Sequence, residues 1–140
     1  MDLTFDVGEK ADDETSAFIT NGWATVSGPN RTMVDSKSVV ITARENGVLV
    51  AAIKGWTAGG VGYASELMVA SEFRGRGIGT KMLSKFEDAC RANNARRLAM
   101  HALANSDEQR LYERLGWRVE LEIEDWLEGQ TYFQMRKDIS

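Results

Sequence analysis

Cysteine, histidine and proline each occur once in this sequence of 140 residues. A lone cysteine closes no internal disulfide, and Cys90 with His101 cannot supply the four ligands of a structural zinc site. The fold is therefore expected to stand without disulfide or metal. Long apolar runs are also missing: none reaches the roughly 20 residues that span a bilayer. The start, Met1-Asp2-Leu3-Thr4-Phe5-Asp6, lacks the basic-then-apolar order of a secretory leader. A cytoplasmic chain without a membrane partner is the expectation. Positive charge is short, with 17 Lys and Arg against 21 Asp and Glu, a net charge of −4. That balance disfavours nucleic acid as a partner, because such binding needs clustered cations. What is abundant is ordinary core material: 43% hydrophobic and 27% charged residues describe one globular domain over residues 1–140.

Leu3-Thr4-Phe5-Asp6-Val7 alternates apolar and polar residues, which predicts a short strand, and Asp12 to Ile19 places acidic residues ahead of apolar ones, as a first helix would. Ser27-Gly28-Pro29-Asn30 reads as a loop, and residues 20–37 carry no clear periodicity. Ser38 to Arg44 and Val48 to Lys54 are rich in Val, Ile and Thr and flank Asn46-Gly47, a strong hairpin signal. A turn at Ala58-Gly59-Gly60 adds Val61 to Val69, giving an antiparallel meander. From Gly77 to Asn94 the apolar positions 82, 83, 86, 89 and 90 make one helical stripe. Arg97 to His101 suits a buried strand returning beside the one before that helix, a βαβ crossover. Ser106-Asp107-Glu108 opens a second helix, with Leu111, Tyr112 and Leu115 facing inward and Gly116 ending it. Trp117 to Ile123 alternates strictly, and Thr131 to Arg136 supplies a last strand. Apart from the first helix, the expected order is ββββαβαββ.

The segment Arg74-Gly75-Arg76-Gly77-Ile78-Gly79 lies between a strand ending at Val69 and the strongest helix. Glycines at such a turn let backbone N–H groups approach an anion, and the helix N-terminus adds about half a positive charge. Arg74, Arg76 and Lys81 add cations where the whole chain is acidic. Spacing excludes two owners of phosphate-binding loops. The dinucleotide fingerprint needs Gly or Ala where Thr80 stands, and the Walker pattern needs Lys directly after Gly79.

The pattern Arg74-x-x-Gly77-x-Gly79 after a strand resembles the pyrophosphate loop of the GCN5-related N-acetyltransferases, the GNAT family. Leu111-Tyr112-Glu113-Arg114-Leu115-Gly116-Trp117 is similar to that family's helix-to-strand segment, with Leu111 departing from its aromatic residue. The matched stretch runs from about Val61 to Phe133, and both motifs keep the family's order. The resemblance implies a mixed α/β (α+β) fold with a mostly antiparallel sheet of about 6–7 strands flanked by helices, opened at a splayed βαβ cofactor cleft. It implies acetyl-coenzyme A as cosubstrate, with backbone amides of Arg74, Gly75, Arg76, Gly77, Ile78, Gly79 and Thr80 on the pyrophosphate. Met68 and Val69 would pair with pantetheine or polarise the thioester, and Asn105, or Ser106 beside it, would contact the cofactor arm. A homodimer is compatible with this resemblance.

An alkylamine is almost wholly protonated at pH 7, so some group must remove a proton before attack. Glu66, on the strand beside the cleft, is the candidate base, and Tyr112 is the family's candidate acid for the departing thiolate. Cys90 lies on the apolar stripe and reads as core; His101 reads as a satisfied core histidine. Glu120, Glu122, Glu124, Asp125 and Glu128 surround Trp126 and would suit a cationic acceptor, though alternation alone also produces a polar strand face. The leading expectation is an N-acetyltransferase acting on a primary amine of a small molecule or peptide. The alternatives are a non-catalytic acyl-coenzyme A sensor or interaction module, and a nucleic-acid binder using Arg74, Arg76, Arg96 and Arg97.

Overall fold

The computed structural model describes residues 1–26 and 36–140, so the expected Ser27–Asn30 loop lies outside the described residues. The chain divides into two compact units, Met1–Val34 and Asp35–Ser140. In the first, helix α1 spans Asp13–Trp23, and the Asp12 carboxylate caps it by accepting the Thr15 N–H at 2.8 Å. No residue of α1 is buried. The expected strand at Leu3 to Val7 does not form. Leu3, Phe5 and Val7 stand 64%, 83% and 102% exposed, and alternation without a partner edge leaves strand hydrogen bonds unmade.

The second unit carries β1 (Lys37–Glu45), β2 (Val48–Ala58), β3 (Val61–Val69), α2 (Ile78–Ala92), β4 (Arg97–Leu103), α3 (Asp107–Arg114), β5 (Arg118–Leu127) and β6 (Gln130–Asp138). They form a six-stranded sheet ordered β1-β2-β3-β4-β6-β5, in which only β3 and β4 run parallel. The strand count before α2 is thus one fewer than expected. The first hairpin turns where predicted, with Asn46 and Gly47 both in the left-handed region at φ +50° and +80°.

One face of the sheet holds the core. Met82, Leu83, Phe86 and Cys90 of α2 pack with Ile53, Leu98, Met100 and Met135, and Tyr112 and Leu115 join from α3 and its end. The opposite face carries no helix of this unit. Two β-bulges decide what reaches it. Lys54 pairs with Glu66 while Gly55 pairs with Ala64, so Ser65 has no partner across β2. The extra residue reverses the alternation. Gly62 and Ala64 point to the core, but Glu66 joins Tyr63 on the opposite face.

The second bulge lies at Glu120, where Val119 pairs with Met135 and Leu121 with Gln134. It overturns the strict alternation expected from Trp117 to Ile123. Trp117 is buried, but Leu121 swings to the face opposite α2 and stands 53% exposed.

Candidate active site

β3 and β4 pair over only Val61–Arg97, Gly62–Leu98 and Tyr63–Ala99. Beyond Tyr63 the parallel ladder stops, and the ends of the two strands border a gap. The Ala70 N–H donates to the Val50 carbonyl at 2.8 Å, so the backbone of Ala70, and by alternation that of Met68, faces β2. Leu67 and Val69 therefore turn their N–H and C=O groups to the gap. Of the two sequence candidates on this edge, Val69 has that orientation and Met68 does not. Leu67 is absent from the sequence candidates, although counting back from Val69 in steps of two identifies it.

The loop after β3 begins with a single 3-10 turn, Ser71–Phe73. Gly75 and Gly77 follow at φ +77° and +78°, left-handed values that an L side chain adopts only with strain. They turn the chain so that α2 starts with its N-terminus toward a pocket of about 350 Å³. Val69, Phe73, Arg74, Gly75, Gly77, Ile78, Gly79, Thr80 and Leu111 line it, which brings the loop together with α3. Lys81 is the first residue of α2 to close a helical bond, to the Gly77 carbonyl at 3.1 Å. The amides from Gly75 through Thr80 find no acceptor among the described residues. An anion with several oxygens fits this row of donors.

Both arginines are held in place by neutral partners and keep their charge. Arg74 Nε donates to the Val69 carbonyl at 3.0 Å and fastens the loop to the end of β3. The Arg76 guanidinium lies over the Phe73 ring, 4.9 Å from its centre.

α3 is capped by Ser106, whose Oγ accepts the Gln109 N–H at 3.1 Å and donates to the Leu103 carbonyl at 2.6 Å. Ser106 is therefore committed to structure, whereas the Asn105 side chain has no partner among the described residues. The buried Gln109 accepts the Asn105 N–H at 2.6 Å and so fixes the β4–α3 loop, with Asn105 at φ +60°. Gln109 escaped the sequence reading because a glutamine inside a polar helix carries no periodic signal.

Tyr112 is half-buried, 6.3 Å from Trp117 between ring centres, and its hydroxyl has no partner among the described residues. Burial, helped by the Glu108 carboxylate one turn earlier, raises its pKa above the ordinary value of 10.0. It stays protonated at neutral pH. Glu66 is exposed and ion-paired with Lys54 at 3.7 Å.

His101 is not a core histidine. It lies half-buried on the face opposite α2, with Leu98, Met100 and Ala102 taking the core positions of β4. Its ring meets Tyr63 edge-on at 5.7 Å and Trp126 edge-on at 6.2 Å, and Tyr63 stacks on Trp56 at 5.4 Å. Cys90 is fully buried, as the apolar stripe predicted, and burial pushes its pKa up to about 11. The acidic cluster is divided: Glu120 binds Arg136 at 2.9 Å and Gln134 at 3.0 Å, and Glu122 sits opposite Phe133 rather than Gln134. Among the described residues no group of three or more His, Cys, Asp or Glu could hold a metal, and no helix is long and apolar enough to cross a membrane.

Residues 8–117 match the family model described as Acetyltransferase (GNAT) family. No curated protein matches the sequence. Among solved structures the chain is similar to a proposed acetyltransferase from Agrobacterium tumefaciens, with 24% identity, TM-score 0.76, and coverage of 98% of this chain and 100% of that one. An acetyltransferase from Bacillus cereus gives 16% identity, TM-score 0.68, and coverage of 96% and 98%. The PaiA N-acetyltransferase of Thermoplasma acidophilum, solved with coenzyme A, gives 16% identity, TM-score 0.63, and coverage of 73% and 61%. These likenesses show a shared fold.

Proposed function

Because this chain belongs to the GNAT acetyltransferase family, we propose that it transfers an acetyl group from acetyl-coenzyme A to a primary amine of a small molecule or peptide, by direct attack. The observation that carries the reading is the unbroken row of free amides from Gly75 to Thr80 at the end of the β3–β4 gap. These amides hold the pyrophosphate, the Val69 edge pairs with the pantetheine arm, and Asn105 is free to contact that arm from the other lip. When bound, the cosubstrate supplies an activated thioester.

The residues of this chain then divide the proton and charge work. Bringing an alkylamine of pKa about 10.4 to its neutral form at pH 7 costs roughly 4–5 kcal/mol. Glu66 takes that proton through water, since its side chain is exposed on the face opposite α2. With Val69 on the pantetheine arm, the Leu67 N–H, one strand repeat further along the same edge, donates to the thioester oxygen as it gains charge. Tyr112, protonated, donates its hydroxyl proton to the departing sulfur as the C–S bond breaks.

The competing reading is a sensor that binds acyl-coenzyme A without chemistry, and the ion pair between Glu66 and Lys54 favours it. Tyr112→Phe separates the two. On the transferase reading, coenzyme A binding stays within about twofold of wild type and thiol release in the presence of amine falls about 100-fold. A wild-type protein that binds acetyl-coenzyme A yet releases no thiol with any amine of a broad panel supports the sensor.

A further inference from the structure

Trp56, Tyr63, His101 and Trp126 come from β2, β3, β4 and β5, yet they form one continuous row of rings across the face opposite α2. The core does not require them there, and Trp56 and Trp126 remain 38% and 52% exposed. The row crosses the sheet where it opens. Tyr63 is the last residue of β3 to pair with β4, and His101 lies two residues past its partner Ala99. Glu66 is on the same face because of the Ser65 bulge.

Trp126 reaches the row by an unusual route. β6 lies between β5 and β4, so the indole spans a whole strand to meet His101. The register allows this: Ile123 pairs with Tyr132 and Leu127 with Gln130, leaving extra residues in β5. Asp125 among them sits at φ +48°, and Glu128 at +53°. The bulge that carries Trp126 is thus bracketed by Glu124, Asp125 and Glu128, all exposed. The gap opens in the middle of the row, between Tyr63 and His101, and at the β5 end of the row lies an indole among carboxylates.

We infer that this row is the acceptor platform and that the acceptor is a linear amine with a second cation at its far end. The inference rests on the acetyl-transfer reading above and adds a substrate class to it. The reacting nitrogen sits at the gap beside Tyr63 and His101, and the distal ammonium lies over Trp126, where ring faces and carboxylates both favour positive charge. Tyr63 and His101 are 5.7 Å apart and His101 and Trp126 6.2 Å apart between ring centres, so a nitrogen between the first pair is at most roughly 9 Å from the indole, the span of an extended diamine with about five to seven methylenes. The rings supply flat surface along the hydrocarbon chain between the two nitrogens.

The test compares heptylamine, 2-phenylethylamine and 1,7-diaminoheptane as acceptors, and titrates the same three calorimetrically into protein saturated with coenzyme A. The diamine is expected to show a KM at least about tenfold below heptylamine. Trp126→Leu, which keeps apolar bulk but loses the ring face, should raise the diamine KM about five times more than the heptylamine KM. Trp126→Phe should largely restore the preference. Equal KM values for diamine and heptylamine, preference for the aromatic monoamine, or a Leu variant that treats both amines as wild type does would each overturn the inference while leaving acetyl transfer intact. A wild-type protein that releases no thiol with any amine would instead overturn acetyl transfer. Calorimetry then still decides the platform: diamine binding tighter than heptylamine and weakened by Trp126→Leu supports it, and equal or absent binding overturns it.

Discussion

Gly77 and Gly79 stand two residues apart in the glycine loop before α2, and substituting alanine at each should separate stability from the proposed binding. Gly77 sits at φ +78° with nothing within 4 Å of where a Cβ would project. Gly77→Ala therefore meets no clash and carries only the left-handed backbone penalty, about 1–2 kcal/mol. For a chain of this size that lowers Tm by about 3–8 °C. Gly79 is the second residue of α2, has an ordinary helical φ, and would place its Cβ 3.9 Å from Val69 Cγ2, a comfortable contact. Gly79→Ala should stabilise by about 0.4–1 kcal/mol, since the unfolded chain loses freedom and the helix gains a better former. The same methyl enters the pocket that the free amides line. Losing one or two charge-assisted amide bonds, at about 1.5–3 kcal/mol each, raises the Kd for coenzyme A at least tenfold. Thermal unfolding and calorimetric titration of both variants provide the readout. A Gly79→Ala protein that is more stable yet binds coenzyme A within twofold of wild type would refute the assignment of these amides to the pyrophosphate.

Two further outcomes follow from burial. On the proposed mechanism Tyr112 acts only while protonated, and its pKa is raised by burial and by Glu108, so its limb of the kcat profile should fall above pH 10, and Glu108→Gln should move that limb downward. Lack of movement in a kcat–pH series would remove Tyr112 from the acid role. The Cys90 thiol, with its pKa near 11, should resist thiol reagents at pH 8 in the native protein and react once per chain after denaturation. Because this pKa is raised by folding, its contribution to stability is complete below the unfolded value and disappears as pH climbs toward 11. Urea midpoints of wild type and Cys90→Ala should therefore converge in that window.

Local elements were more legible in the sequence than the faces they present. Asn46-Gly47, the 82-83-86-89-90 stripe, the Ser106 cap and the glycine loop each carry a local signal, and the structure follows each of them. The bulges at Ser65 and Glu120 carry none, because one unpaired residue leaves composition unchanged yet exchanges the two sides of everything after it. That is why the alternation places Leu121 in the core; His101 is a separate case, because the short apolar run of β4 does not itself say which of its two faces meets the helices. The alternation in Leu3 to Val7 failed for a different reason: a strand needs a partner edge, and five residues of pattern do not contain one.

The short β3–β4 ladder has a mechanical consequence. With three paired positions, the sheet is two stiff half-sheets, β1-β2-β3 and β4-β6-β5, joined along a brief seam. A pantetheine arm lying against the Val69 edge would supply rungs that the polypeptide leaves out. Ligand and protein would then form one continuous hydrogen-bonded layer, and amides on both halves, including those far from the pyrophosphate, would exchange with solvent more slowly in the complex than in the free chain.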